Sequence, residues 1–367
     1  MKTHLTHLPR KRFDHIDIAK GISIILVALH HSYLSELAAV ISYRMSVFRM
    51  PLFFFMSGIF FSYAAGFKPF IVKRAEALLK PYFVIAIAVT LVVFLFEGEY
   101  RYRLFRFLYT NGTIIERPWT PLWFLPHLFA VHLFSYIVNR YTPYRKLSIR
   151  YKWLVLFVML VVGLFVVDFY SNPVISSLAG TYVHVWGLPF SIDILLVSSV
   201  YFLAGSLLRE QVKTFEVHFY KLVTAIVGLL TILLFFEVSI DLVMRSVGSH
   251  VLALIGSVLG IYVVVGLSKL IEKTVWLKRI LLAAGGASLV ILIFHVFIET
   301  QFLALFEIKD WDHLPRFLAS LTFFLLCVGI PVGMNWVAKR STLLALLMLP
   351  KSQRLAETLP RAKASPA

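Results

Sequence analysis

The sequence predicts an all-α fold, a polytopic membrane bundle of about ten transmembrane helices with both termini cytoplasmic. Three observations lead there. The 367 residues are 59% hydrophobic and only 15% charged, and mean hydropathy is +0.83; soluble domains run at about 45–50% apolar and about 25% charged. Apolar runs long enough to cross a bilayer recur from one end of the chain to the other. Basic residues gather in alternate connections between those runs, the pattern of a topology signal.

The expected spans lie near 16–36, 46–65, 82–97, 120–138, 153–169, 185–208, 221–240, 250–268, 280–299 and 317–338. The third is short, and Pro81 sets its start. With the N-terminus inside, 27 of the 36 Lys and Arg fall on the cytoplasmic side, which fixes the expected orientation. The formal charge of +17 is then a topology signal, and nucleic acid is not an expected partner. Residues 1–15 form a basic cytoplasmic N-terminus without a cleavage-site pattern. Residues 16–340 form the membrane domain. In the tail, 341–367, the run STLLALLMLP is too short to span and reads as an interfacial helix. A polar Pro/Ala-rich stretch, expected to be disordered, follows it. The single cysteine, Cys327, excludes an internal disulfide and a thiolate metal cluster, and reads as a buried small hydrophobe.

Ionisable groups inside hydrocarbon are costly and mark candidate sites. The first span, HIDIAKGISIILVALHHSYL, carries four. Lys20 and His31 are eleven residues apart, three turns and about 20°, so they share one stripe. Asp17 joins it three residues earlier. His31 then stands about 16 Å along the axis from Lys20. His30 lies about 80° off the stripe and reads as a packing group. A neutral imidazole at that depth can take and return a proton near neutral pH. Asp193 (LPFSIDILLV) and His295 (LVILIFHVFIE) lie deep enough in their runs to be further candidates. His127 and His132 are five apart and share no face, and Glu237 sits near an outer end. MPLFFFMSGIFF opens the second span, where Ser57 and Gly58 allow close approach of a helix or a ligand. FKPFIVKRAEALLKPY follows as a basic inside connection, suited to anionic lipid or to phosphates. The longest outside connection, EGEYRYRLFRFLYTNGTIIERPW, reads equally as an interfacial segment and as part of a sugar-binding surface.

Taken together these stretches resemble the acyltransferase-3 family of integral membrane acyltransferases. The resemblance rests on an ordered set: D17-I-A-K20, ten residues, then H31; F53-F-F-M-S57-G58; K73-R74-A-E-A-L-L-K80-P81-Y82; W123-F124-L125; F202-L203-A-G205; and His295 late in the chain. The set spans about residues 13–340. It implies ten spans and an acyl-CoA donor, usually acetyl-CoA, with no metal. The acceptor it implies is a hydroxyl on a sugar, glycolipid or surface polysaccharide, of the exopolysaccharide-acetylating type. By position His31 takes the family's catalytic histidine role and Lys20 that of its basic partner.

The expected mechanism follows. Lys73 and Arg74 bind the CoA phosphates, and the pantetheine arm enters beside Lys20 and Ser57. The thioester meets His31, acting as base or as nucleophile, while Asp17 orients Lys20. Arg117, Trp119 and Trp123, with His295 and Asp193, contact the acceptor. The expected location is the bacterial inner membrane, among lipids and polysaccharide-assembly proteins. Rival readings are a transporter or flippase of a polysaccharide precursor, a haem protein using paired histidines, and a non-catalytic envelope assembly partner.

Overall fold

The fold was analysed in a computed structural model that describes residues 13–98, 101–171, 174–178, 181–185 and 187–350. The architecture is all-α. Its helices are α1 (Asp14–His31), α2 (Tyr33–Glu36), α3 (Ala39–Arg44), α4 (Ser46–Ile59), α5 (Phe67–Arg74), α6 (Lys80–Glu97), α7 (Arg101–Tyr109), α8 (Phe124–Tyr141) and α9 (Ile149–Phe169). After them come α10 (Leu195–Leu207), α11 (Arg209–Lys213), α12 (Phe219–Phe235), α13 (His250–Ile271), α14 (Trp276–Gly286), α15 (Ser288–Phe306), α16 (His313–Arg340) and α17 (Thr342–Met348). Among the described residues the strands are confined to two hairpins. One pairs β1 (Val174–Leu178) with β2 (Thr181–Val185), the other β3 (Ile240–Asp241) with β4 (Ser246–Val247).

Eight of the described helical segments are long and apolar enough to cross a membrane. They contain α4, α6, α8, α9, α10, α13, α15 and α16. The other two expected spans also fall on helices. Of these, α12 has 17 residues, and α1 carries Asp14, Asp17 and Lys20. The protein is an integral membrane protein. Residues 1–12 and 351–367, the basic N-terminus and the polar tail, lie outside the described residues. Residues 342–348 are helical, in the run read as interfacial.

Several expected boundaries differ; α12, for one, ends at Phe235 rather than 240. The first span ends at His31 rather than 36. There Ser32 turns extended (ψ 153°) and its hydroxyl bonds back to the Leu29 carbonyl at 2.7 Å, a local competitor for the helical pattern. The second span stops at Ile59, short of 65. The sixth begins at 189, because 181–185 forms β2. The run at 280–299 is broken at Ala287 between α14 and α15. Hydropathy does not register such breaks, since the apolar composition continues through them. Pro81 does not set the start of the third span, because the helical segment runs unbroken from Phe67 to Glu97 and Pro81 lies within it. A π-turn at Ala75–Leu79 joins α5 to α6. At its other end α6 closes on Gly98 in the left-handed region (φ 74°).

The core is centred on α4, which packs against α10, α13 and α1, while α1 packs in turn on α14, α13 and α15. Helices α4 and α10 cross closely. A Cβ on Gly58 would strike the Phe202 carbonyl, and a Cβ on Gly205 would strike the Phe55 carbonyl. The contact is reciprocal, so each helix uses its glycine to admit the other's backbone. Arg44 caps α12 by donating to the carbonyls of Leu233 (2.9 Å) and Leu234 (2.8 Å), which otherwise lack intrahelical partners.

Gly58→Val and Gly205→Val are each expected to lower the thermal midpoint of the detergent-purified protein. Gly329→Ala, where a Cβ meets nothing within 4 Å, is expected to leave it unchanged. Melting followed by size-exclusion chromatography checks this, and equal midpoints for all three would refute the close-crossing account.

Candidate functional site

Three cavities follow one another along α1, and the outer two overlap. The inner one, with an empty volume of about 950 Å³, is lined by Asp17, Lys20, Ser23, Phe53, Met56, Ser57, Asn335 and Leu349, among others. The central one is walled by Val27, His30, His31, Arg49, Met50, Phe53, Trp123, Phe124, Leu292 and the 240–244 stretch. The outer one shares His30, His31, Thr120, Val243 and Met244 with the central cavity, and adds Ser32, Ser35, Glu36, Thr113 and Arg117. Phe53 belongs to both the inner and the central walls. Its ring sits edge-on to Phe124 with centroids 4.7 Å apart. Lys20 and His31 are thus in separate chambers with one aromatic side chain common to both.

At the inner end Lys20 lies 3.5 Å from Asp17 and 4.0 Å above the Phe60 ring. Gly21 and Gly285 let α1 and α14 approach until a Cβ on either would meet the other helix's carbonyl. The Ser23 hydroxyl is buried beside this cavity without a partner. Ser57 bonds to the Phe53 carbonyl at 2.8 Å. Leu349, just beyond α17, closes one side, and the Lys80 ammonium ties that end down through the carbonyls of Leu346 and Leu349, both at 2.7 Å. This is the C-terminal charge complement a short helix needs.

At the outer end His31 is the last residue of α1. Its ring lies 4.9 Å from that of His30 and 5.3 Å from that of His295. Helix α15 holds this turn twice. His295 faces the His31 ring, and one turn on, Glu299 accepts the Tyr33 backbone N–H (2.7 Å) and the Cys327 thiol (2.9 Å). Cys327 is buried, as expected of a small hydrophobe, but it also donates. Arg117 reaches the His31 carbonyl at 3.4 Å and lines the outer cavity.

The β3–β4 turn roofs the outer two cavities. Asp241 shapes it by accepting from the Val243 (3.0 Å) and Met244 (2.9 Å) N–H groups. Arg245 anchors it from below. Its guanidinium meets Asp193 at 2.8 Å with both side chains fully buried, and it also donates to Asn111 at 3.2 Å and to the Val243 carbonyl. Asp193 in turn accepts the Leu188 N–H at 2.7 Å. His127 joins the same region through the Phe190 carbonyl (3.1 Å) and Ser198 (2.9 Å).

The structure therefore brings together Asp17, Lys20 and Ser57 in one chamber, and His31, Trp123 and Arg117 around the next two, with His295 behind His31. The remaining candidates lie elsewhere. Trp119 stacks on Phe297 (5.1 Å, 19°) and lines a small crevice with Arg103 and Arg106. Lys73 and Arg74 line none of the three cavities, and Arg74 sits over the Phe70 ring at 5.7 Å. Asp193 is consumed by its ion pair. His30, set aside as off the stripe, lines both outer cavities. The helical wheel misleads there because the cavities wrap around the end of α1 instead of one face.

Sequence reasoning missed Arg245, Arg49 and Glu299. Both arginines counted as outside charges, yet both are buried. Glu299 was legible, since it follows His295 by four residues and must share its face. No group of three or more His, Cys, Asp or Glu arranged to hold a metal occurs among the described residues.

A polytopic helix bundle with three neighbouring histidines, His30 and His31 lining the cavities and His295 buried behind them, defines a membrane protein with internal cavities. Residues 13–336 match the family model described as an acyltransferase domain; the chain belongs to the acyltransferase-3 family. No curated protein and no solved structure matches it. The protein is a membrane acyltransferase.

Arg245→Met is expected to cost about 3–5 kcal/mol by stranding the Asp193 charge. Replacing both partners, Asp193→Leu with Arg245→Met, is expected to cost less than the single change. Thermal melts of the purified variants measure both, and a double mutant worse than the single would refute the pairing account.

Proposed function

We propose that the protein is an O-acetyltransferase that moves an acetyl group from cytosolic acetyl-CoA to a sugar hydroxyl. The acceptor is a surface polysaccharide or its lipid-linked precursor, and the membrane is the bacterial inner membrane. One observation carries the reading. The stripe Asp17–Lys20–His31 runs along a single helix from the inner chamber to the cavities around His31, and Phe53 alone is common to the facing walls. Two substrates arriving from opposite sides can meet there without opening a water path through the bundle.

The loop charges support ten spans with both termini cytoplasmic, so the inner chamber opens to the cytosol. Lys20 there offers an ammonium, and Ser23, Ser57 and Asn335 offer hydrogen bonds suited to the amides of a pantetheine arm. Lys73 and Arg74, on the same side, are the binders of the CoA phosphates in this scheme. On the other side Ser32, Ser35, Glu36, Thr113, Arg117 and Thr120 give the polar wall a sugar requires. His31 takes the proton of the acceptor hydroxyl as its oxygen attacks the thioester carbonyl.

His31→Ala is expected to remove the alkali-labile acetate from the surface glycan of cells that hold normal amounts of the protein. Phe53→Trp, which thickens the partition, is expected to cut it by roughly tenfold, a loss of about 1.4 kcal/mol of transition-state stabilisation. Acetate release read by mass spectrometry decides. Full acetylation in His31→Ala would overturn the reading and favour a transport or assembly role.

A further inference from the structure

The His295 ring shows a defined tautomer. Its Nδ1 lies 2.7 Å from the Ile291 carbonyl, and a carbonyl oxygen can only accept, so Nδ1 carries the proton. In the neutral ring Nε2 is then a bare lone pair. That atom is buried with no partner, in a residue only 1% exposed. An unmet acceptor in such a place is costly and asks for a donor. The aromatic neighbour it has is His31, with centroids 5.3 Å apart and planes at 53°. At that separation a nitrogen on one facing edge reaches the other once the edges turn together. The loop beyond His31 is already fastened to the same helix, through Glu299 and the Tyr33 N–H at 2.7 Å.

We propose that His295 is a positioning residue for the reaction, and that its Nε2 accepts a ring N–H of His31. This rests on the role proposed for His31 above. The bond fixes the His31 tautomer so that its other nitrogen is the lone pair facing the cavity. It also holds the ring in place when that nitrogen becomes protonated. The proton balance is simple. The acceptor O–H gives its proton to the cavity-facing nitrogen of His31 as the oxygen bonds to the thioester carbon. The C–S bond breaks, and the proton passes from His31 to the departing thiolate. His295 gains and loses no proton, and receives the same hydrogen bond throughout.

The test uses three substitutions at one position. His295→Asn keeps a donor where Nδ1 stands but loses the acceptor. His295→Gln puts an amide oxygen where Nε2 stands. His295→Leu loses both. Each is assayed as full-length protein in native membranes, with acetyl-CoA as donor and alkali-deacetylated surface glycan of the same cells as acceptor, following thiol release. For Asn and Leu the expected result is a fall in kcat of about 100-fold, the scale of a positioned proton-transfer group, with KM for acetyl-CoA within about twofold of wild type. Gln is expected to recover to within about tenfold of wild type. Equal loss in Asn and Gln, a change confined to KM, or wild-type kcat in Leu would overturn the assignment. His31→Ala runs alongside. If it keeps full activity, the parent reading fails and this inference with it; if it is inactive while His295→Leu is not, only this inference fails.

Discussion

The crossing of α4 and α10 sets the geometry on which the site depends. Gly58 and Gly205 each admit the partner's backbone, at Phe202 and Phe55 respectively. In hydrocarbon no water is squeezed out to drive two helices together, so close packing of small residues must supply the attraction. Fixing α4 in this way fixes the direction of everything along it. Phe53 turns toward the boundary of the inner and central cavities, Ser57 toward the inner one, and Arg49 and Met50 toward the central one. The stretches F53-F-F-M-S57-G58 and F202-L203-A-G205, far apart in the chain, are two sides of one contact.

The second constraint is the cost of buried charge. Asp193 and Arg245 are fully enclosed, and a buried charge left without a partner is costly. Together, and with Asn111, the Leu188 N–H and the Val243 carbonyl, they satisfy each other. The pair joins three outer connections, those before α8, before α10 and between α12 and α13. Because the 240–247 hairpin hangs on Arg245, the roof over His30 and His31 is held by electrostatics rather than by regular sheet, since β3 and β4 have only two residues each.

The all-α class and the positions of the long spans were legible because hydrocarbon imposes length and apolarity directly on sequence. Each of the ten expected runs overlaps a helix, and eight helical segments are long and apolar enough to cross a membrane. The alignment of Asp17, Lys20 and His31 was legible too, since helical spacing is arithmetic. The breaks at Ser32 and Ala287 were not, because they interrupt backbone geometry without interrupting composition. Nor was the burial of Arg49 and Arg245. Arg245 is a charge in a connection and Arg49 one near the start of α4, and only tertiary structure reveals that both are enclosed. Trp119 and Arg74 illustrate the converse. Both have side chains suited to ligands, yet neither lines the three cavities along α1, and each sits against an aromatic neighbour, Phe297 and Phe70.

The division of polarity between the chambers fits the thioester chemistry proposed above. An activated acyl group facing a basic imidazole is lost to hydrolysis wherever bulk water shares the space. A sugar acceptor, however, needs a polar and hydrated wall to be recognised at all. In the proposed scheme both requirements are met beside the end of one helix, in two adjoining cavities of different lining. Val27, Met50, Phe53, Phe124 and Leu292 give the central cavity around His31 an apolar side. The hydroxyls of Ser32, Ser35, Thr113 and Thr120 lie beyond it, in the outer cavity. His31 can border both only because α1 stops there. Had the helix continued to residue 36, its next turn would fill the space where the two cavities meet. The premature end of α1, fastened through Tyr33 to Glu299, is therefore what lets one helix border both cavities.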